Sequence, residues 1–209
     1  MHILKGLLIG ILMGGSVLFP AASTEAFSVV EVGDSRSIAE SYPEIHSSAA
    51  NGELLSFVYN KEKRVAYLMN QSKQKTYLTF VPDRIVDGNL DFEIKDIYTT
   101  DPDQHLWEVI AKGGEEMHNC GYWIVGWKDG KYVKFVTMKS LTGIGYKSDG
   151  RHRLSSKFYD NGNLVLTGSY PKARKGALLG YQKDTVVDFR ASFFWDEEKQ
   201  WFGIRRLNQ

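Results

Sequence analysis

The sequence has a single cysteine, Cys120, among its 209 residues. One cysteine cannot close a disulfide within a chain, so the small disulfide-built scaffolds are excluded. An excess of one charge is also absent, because 26 lysines and arginines are balanced by 25 aspartates and glutamates. Nucleic-acid-binding proteins carry a clear basic excess or a basic stripe, and the basic runs here are short. We therefore expect no nucleic-acid partner.

Several motifs that carry chemistry are missing as well. The sequence contains no glycine-rich phosphate loop, no Gly-x-Ser-x-Gly nucleophile elbow and no His-Glu-x-x-His helix. These absences remove the common signatures of nucleotide binding, serine hydrolysis and zinc peptidases. No cofactor is predicted, with zinc as the one exception considered below.

The first 26 residues resemble a secretory signal. Lys5 is the only charged residue before the cleavage region, and an apolar run covers residues 6–19. Thr24-Glu25-Ala26 fits the small-x-small cleavage pattern, and residues 21–23 offer a second choice. The run is shorter than the roughly 20 residues of a membrane-spanning helix, which disfavours an uncleaved anchor. No later segment is long and apolar enough to span a membrane, so we expect a secreted or periplasmic protein.

Removal of the signal leaves a chain with the size of one ordinary domain. Residues 27–53 are predicted to hold a lead-in strand, Phe27 to Val32, followed by a loop. Residues 54–209 are predicted to form a single β domain. The best helical candidate, Ser35 to Ser41, is cut short by Pro43.

From residue 54 onward, segments rich in Val, Tyr, Phe and Thr alternate with polar turns, which is typical of antiparallel strands. Asp129-Gly130 and Asn161-Gly162 supply the positive φ angles that tight hairpins require. The predicted strands cover residues 54–59, 64–69 and 75–81; 122–127 and 132–137; 153–159 and 163–168; 185–195 and 200–205. We expect an all-β, antiparallel, hairpin-built barrel or two-sheet sandwich, with a small propeller-like arrangement as the alternative.

The most reactive combination of side chains lies in one glycine-flanked loop. Glu116, His118 and Cys120 share one face of an extended segment, because side chains alternate with a period of two. Carboxylate, neutral imidazole and thiolate are all zinc ligands. Three ligands and an open position would suit an activated water, as in a small hydrolase or another metal-binding protein. No second cysteine is present to complete a common zinc signature.

Cys120 is also a candidate nucleophile, for which His118 or His152 would be the activating base. Nucleophilic cysteines commonly lie at a helix start, where the helix dipole lowers the pKa of the thiol. Cys120 instead begins a predicted strand, and a lone cysteine in a β protein is typically a small buried hydrophobic residue.

Trp123 and Trp127 are separated by four residues on a predicted strand, so they lie on the same face. An exposed row of this kind would offer a stacking surface for a saccharide or a docking surface for a protein partner. The alternative is that both rings fill the core. Because no catalytic arrangement stands out, the favoured hypothesis is an exported, non-enzymatic β-rich domain that binds a saccharide or a protein.

Overall fold

The computed structural model describes residues 42–99, 104–115, 117–147, 152–159, 163–173 and 183–207. All of these residues belong to one compact unit, Asp34–Gln209. The predicted signal, the strand predicted from Phe27 to Val32 and the helix predicted from Ser35 to Ser41 lie outside the described residues. In the part of the chain that is described, no helix combines the length and hydrophobicity needed to cross a membrane.

The described strands form three antiparallel sheets of four strands, and within each sheet the strands follow chain order. The first sheet contains β1 (Glu44–Ala50), β2 (Glu53–Asn60), β3 (Val65–Asn70) and β4 (Thr76–Phe80). The second contains β5 (Leu90–Tyr98), β6 (His105–Gly113), β7 (His118–Lys128) and β8 (Lys131–Thr137). The third contains β9 (Arg153–Phe158), β10 (Leu164–Ala173), β11 (Lys183–Asp196) and β12 (Trp201–Arg206). The short helix α1 (Met138–Gly143) follows β8 directly.

The prediction of an antiparallel all-β fold built from hairpins is confirmed. The predicted barrel is wrong, because the three sheets are separate and do not close on one another. The predicted two-sheet sandwich does not describe the fold either, because the described strands form three sheets. The physical reason lies in the connections: Pro82 follows β4 and α1 follows β8, so the chain leaves the first and second sheets before a fifth strand can pair. A four-stranded meander is also the unit of a propeller blade, and the propeller-like alternative stays a prediction.

The loop predicted within residues 27–53 contains a strand, β1. Asn51-Gly52 joins β1 to β2, and both residues have positive φ angles, 55° and 72°. Asp129-Gly130 joins β7 to β8 in the same way, with φ angles of 51° and 79°. Asn-Gly and Asp-Gly are the residue pairs that two-residue hairpin turns favour, because both central positions need φ above zero.

The second sheet contributes side chains to two separate cores. Along β6, Trp107 and Val109 pack with the first sheet, whereas Leu106 and Ile110 pack with the third. Since successive side chains of a strand point to opposite faces, a strand between two cores is apolar at consecutive positions. The first and third sheets therefore lie on opposite faces of the second, and the third sheet uses only one of its faces for its core.

Candidate functional site

The loop predicted as a zinc site joins β6 to β7. Glu116 lies outside the described residues, so the predicted set of three ligands is not complete in the structure. His118 is partly buried at the start of β7, and Cys120 is 1% exposed two residues later. A β-bulge leaves Cys120 without a cross-strand partner on β6 and interrupts the regular alternation. Among the described side chains, no group of three or more His, Cys, Asp or Glu residues is arranged to hold a metal ion.

The structure does not bring the candidate nucleophile together with His152. Cys120 lies in the core between the first and second sheets, and burial raises the pKa of its thiol to about 11. Such a thiol stays protonated at neutral pH, and the thiol is a poor nucleophile. The His152 ring packs against Tyr146, which belongs to the core between the second and third sheets. Its Nε2 lies 2.8 Å from Asp188 Oδ2.

The two tryptophans predicted to share a face of β7 both point toward the first sheet. Trp123 is only 4% exposed and contacts Phe80 edge-on, with ring centroids 5.4 Å apart. Trp127 is partly exposed and makes a similar contact with Tyr132, at 4.8 Å. Because the first sheet covers this face, Trp123 is a core side chain, and the pair does not form an open stacking surface.

A polar cluster that was not predicted from the sequence joins the first sheet to the second. Asp96 on β5 lies between two imidazoles: its Oδ1 is 2.7 Å from His105 Nε2, and its Oδ2 is 3.2 Å from His46 Nε2. Ser48 Oγ lies 3.2 Å from the same nitrogen of His105. In a Ser-His-Asp triad, the serine and the carboxylate contact opposite ring nitrogens. This Asp96 cluster lacks that arrangement, and its contacts instead hold β1 against β5 and β6.

We expect the substitution Asp96→Asn to lower the free energy of unfolding by about 0.5–1 kcal/mol at pH 7. Burial raises the pKa of Asp96, but the hydrogen bond from His105 and the charges of His46 and His105 outweigh it, so the net shift is downward. A lowered folded-state pKa gives stability that is present above the unfolded pKa, about 3.9, and is lost as the pH falls through the folded-state pKa. Urea denaturation at pH 7 and pH 3 tests this. A difference between wild type and variant that does not shrink at pH 3 would contradict it.

A second buried polar network links the second sheet to the third. Glu108 on β6 is fully buried, and each of its carboxylate oxygens accepts one hydrogen bond. Tyr122 donates to Oε1 at 2.8 Å, and Ser156 donates to Oε2 at 2.7 Å. Burial raises the pKa of Glu108, against the lowering effect of the two hydroxyls. Since neither Glu108 nor Tyr122 has exposed surface, this network serves the packing of the two sheets.

The third sheet has one face on the core and the other open to solvent. Leu154, Leu166, Ala191 and Phe202 point inward, so the residues between them point outward. The outward positions are Arg153, Ser155 and Lys157 on β9, Val165, Thr167 and Ser169 on β10, Val187, Arg190, Ser192 and Phe194 on β11, and Gly203 and Arg205 on β12. We call this set the outer face.

The charged residues of this set are all positive, whereas Asp196, two residues beyond Phe194 at the end of β11, pairs with Lys199 in the turn that follows. The positive residues are Arg153, Lys157, Arg190 and Arg205, and each of them is exposed. Among the described residues, no carboxylate forms an ion pair with Lys157, Arg190 or Arg205. The outer face therefore carries concentrated positive charge on a chain whose formal net charge is only +1.

The strand register gives the spacing of these cations. Lys157 and Arg205 occupy the two ends of one row across the sheet, with Val165 and Ser192 between them. At about 4.8 Å per strand, their Cα atoms are roughly 14 Å apart. Arg153 lies four residues from Lys157 along β9, which is roughly 13 Å at about 3.3 Å per residue.

Hydroxyl and aromatic groups lie between and beside the cations. Phe194 is 42% exposed, and its ring covers Gly203 so closely that a Cβ there would lie 2.2 Å from Cζ. Tyr159, just beyond β9, is 41% exposed, and Lys157 Nζ lies 5.1 Å from its ring centroid. The hydroxyls belong to Ser155, Thr167, Ser169 and Ser192. This surface is not evident from the sequence, because its residues come from four strands and its cations from three of them, two on β9 and one each on β11 and β12.

No protein-family model matches this chain, and no curated protein or solved structure matches it either.

Proposed function

We propose that this chain is an exported, non-enzymatic binding module of the cell envelope or the medium, and that the outer face of the third sheet is its binding surface. The observation that carries the proposal is the set of exposed cations on that face, of which Lys157, Arg190 and Arg205 have no ion-paired carboxylate among the described residues. Export is supported by the signal-like pattern of residues 1–26.

A purely structural role accounts poorly for the outer face. The packing of the third sheet against the second is made by the opposite side chains of the same strands. On the second sheet, by contrast, Glu93 pairs with Lys95 and Lys112. Lys157, Arg190 and Arg205 have no such carboxylate partner among the described residues, and repulsion among like charges weakens a fold slightly, so their presence favours a role in binding.

The alternative function, a small hydrolase or metal-binding protein, would use Glu116, His118 and Cys120. The burial of Cys120 and the raised pKa of its thiol argue against a nucleophile or a ligand that exchanges with solvent. We therefore favour the binding module, without a catalytic residue, a cofactor or a nucleic-acid partner.

A steric block at the centre of the outer face tests this proposal. Thr167 lies in the middle of the face, between Ser155 and Arg190 in the strand register, and we expect Thr167→Trp to abolish ligand binding. The measurement is thermal unfolding of residues 27–209 against neutral and anionic envelope polysaccharides. A ligand at 100 times its Kd should stabilise the wild type by about 2.7 kcal/mol, which is a rise in Tm of several degrees.

The matched control for this experiment is Thr76→Trp, which adds the same ring at an exposed position on β4 of the first sheet. We expect this variant to keep the full rise in Tm. Equal responses of both tryptophan variants would place the binding surface elsewhere, and a flat response of the wild type to every polysaccharide would contradict a saccharide-binding role.

A further inference from the structure

We infer that the ligand of the outer face is a linear anionic polysaccharide, whose carboxylate or sulfate groups pair with Arg153, Lys157, Arg190 and Arg205. This inference rests on the proposed function, since it assigns a ligand class to the same surface. It is carried by the sign of the charges on the outer face, by their spacing and by the groups that lie between them.

The sign of the charge comes first. Every charged side chain of the outer face is a cation, and three of the four are arginines. A guanidinium group binds carboxylate or sulfate through two parallel hydrogen bonds and keeps its charge at any physiological pH. Arg190 and Arg205 lie on adjacent strands, two residues apart in register, so their Cα atoms are roughly 8 Å apart, about one Debye length at physiological ionic strength, whereas the longer separations are more strongly screened. An approaching polyanion therefore meets their combined field.

The spacing of the cations favours a polymer over a small anion. Roughly 14 Å separates Lys157 from Arg205 across the strands, and roughly 13 Å separates Arg153 from Lys157 along β9. A single carboxylate or sulfate group does not span either of these separations, although it can reach Arg190 and Arg205 together, since these lie roughly 8 Å apart on adjacent strands. A chain with an anionic group on successive sugars contacts several of these cations at once. After the first contact, the other anionic groups are held near the surface at a high effective concentration, which raises the overall affinity.

The groups between the cations favour a polysaccharide over a nucleic acid. The centre of the outer face is lined by hydroxyls, those of Ser155, Thr167 and Ser192 among them, which exchange hydrogen bonds with sugar hydroxyls. Proteins that bind single-stranded nucleic acids stack successive bases on aromatic side chains. Here the exposed rings lie away from that centre, Phe194 beside Gly203 on the two last strands and Tyr159 just beyond β9.

The test compares dextran sulfate with neutral dextran, which share a sugar backbone and differ in charge. Isothermal titration with residues 27–209 should show binding of dextran sulfate and none of dextran. The double variant Arg190→Gln/Arg205→Gln should bind at least tenfold more weakly in 50 mM salt. The slope of log K against log salt concentration should become smaller by about one for each cation removed.

The matched control removes the same charge elsewhere. Lys61→Gln/Lys63→Gln changes two exposed lysines in the turn between β2 and β3, and should alter the affinity by less than a factor of two. If both double variants lose affinity equally, the attraction is a property of net charge and the inference is overturned. Wild-type Tm values for both variants would show that neither loses affinity by unfolding.

Two further outcomes separate this inference from the proposed function. Tight binding of neutral dextran that Thr167→Trp abolishes would keep the outer face as the binding surface and overturn the anionic ligand. Binding of single-stranded DNA, or of vesicles rich in anionic lipid, more tightly than dextran sulfate of matched charge would overturn the polysaccharide. The absence of binding to both dextrans by the wild type would count against the inference as well.

Discussion

Replacement of Tyr122 by phenylalanine is expected to lower the free energy of unfolding by about 2–4 kcal/mol at pH 8. Tyr122 donates the hydrogen bond to one oxygen of the buried Glu108 carboxylate, and Ser156 donates to the other. Without the Tyr122 hydroxyl, one oxygen of the buried Glu108 carboxyl group has no donor, and its ionisation becomes more costly. The cost of an unpaired buried charge exceeds that of a lost neutral hydrogen bond, which is why the expected effect is large.

This effect should depend on pH. Because the folded-state pKa of Glu108 is raised, the folded protein holds a proton that the unfolded chain has released, and the stability contributed by Glu108 declines as the pH rises from its unfolded pKa through the folded-state pKa. Loss of the Tyr122 hydroxyl raises the pKa of Glu108 further, so the decline continues to a higher pH and the total loss is larger. Urea denaturation should therefore show a larger loss in Tyr122→Phe at pH 8 than at pH 5.

The matched control is Tyr77→Phe. Tyr77 also donates to a glutamate, Glu53 at 2.5 Å, but both side chains are partly exposed. Removal of the Tyr77 hydroxyl should lower the free energy of unfolding by less than about 1 kcal/mol, because water replaces the lost donor.

A second control uses the double variant. In a Glu108→Gln background, the loss of stability caused by Tyr122→Phe should fall to about 1 kcal/mol. A loss that is the same at both pH values and in both backgrounds would mean that Tyr122 contributes through packing alone.

Alanine substitutions at consecutive positions of β6 should all be strongly destabilising. Leu106 and Trp107 are adjacent in sequence, both are fully buried, and they belong to the two different cores. Removal of either side chain leaves a cavity, so we expect losses of about 2–5 kcal/mol for Leu106→Ala and about 3–5 kcal/mol for Trp107→Ala. Chemical denaturation of each single variant gives these values.

Alanine substitutions at successive positions of β9 should instead alternate between large and small losses of stability. Leu154 is buried in one core, whereas Ser155 and Lys157 point to the outer face. Leu154→Ala should cost about 2 kcal/mol or more, and Ser155→Ala and Lys157→Ala should stay within about 0.5 kcal/mol of the wild type. If effects on β6 also alternated between large and negligible, the second sheet would not lie between two cores.

The predicted hairpins correspond closely to the structure because hairpins are local. The segment predicted at residues 122–127 lies within β7, its partner at residues 132–137 lies within β8, and Asp129-Gly130 forms the turn. Turn chemistry and strand composition are both properties of a few adjacent residues. The same signal was present in Asn51-Gly52 before β2, but the segment ahead of it is polar and half exposed, and β1 was missed.

The candidate residues near Cys120 illustrate where local reasoning ends. The closeness of Glu116, His118 and Cys120 in sequence suggested shared chemistry, yet Cys120 is buried by the first sheet. His152, the more distant candidate base, packs toward the third sheet. The Asp96 cluster shows the converse, since His46, Asp96 and His105 come from three strands and are isolated in sequence. Nothing within a few residues of any of them indicates that one carboxylate receives two imidazoles.

The sequence by itself determined the antiparallel β class, most of the hairpins and the signal-like start, because turns, strand composition and apolar runs depend on neighbouring residues. Only the tertiary structure decided that there are three sheets, that the second lies between two cores and that four dispersed cations share one outer face. These features depend on which face of each strand is covered by another sheet. That coverage is set by packing between distant segments. The positive charge that it places on the outer face is not evident from the balanced net charge of the chain.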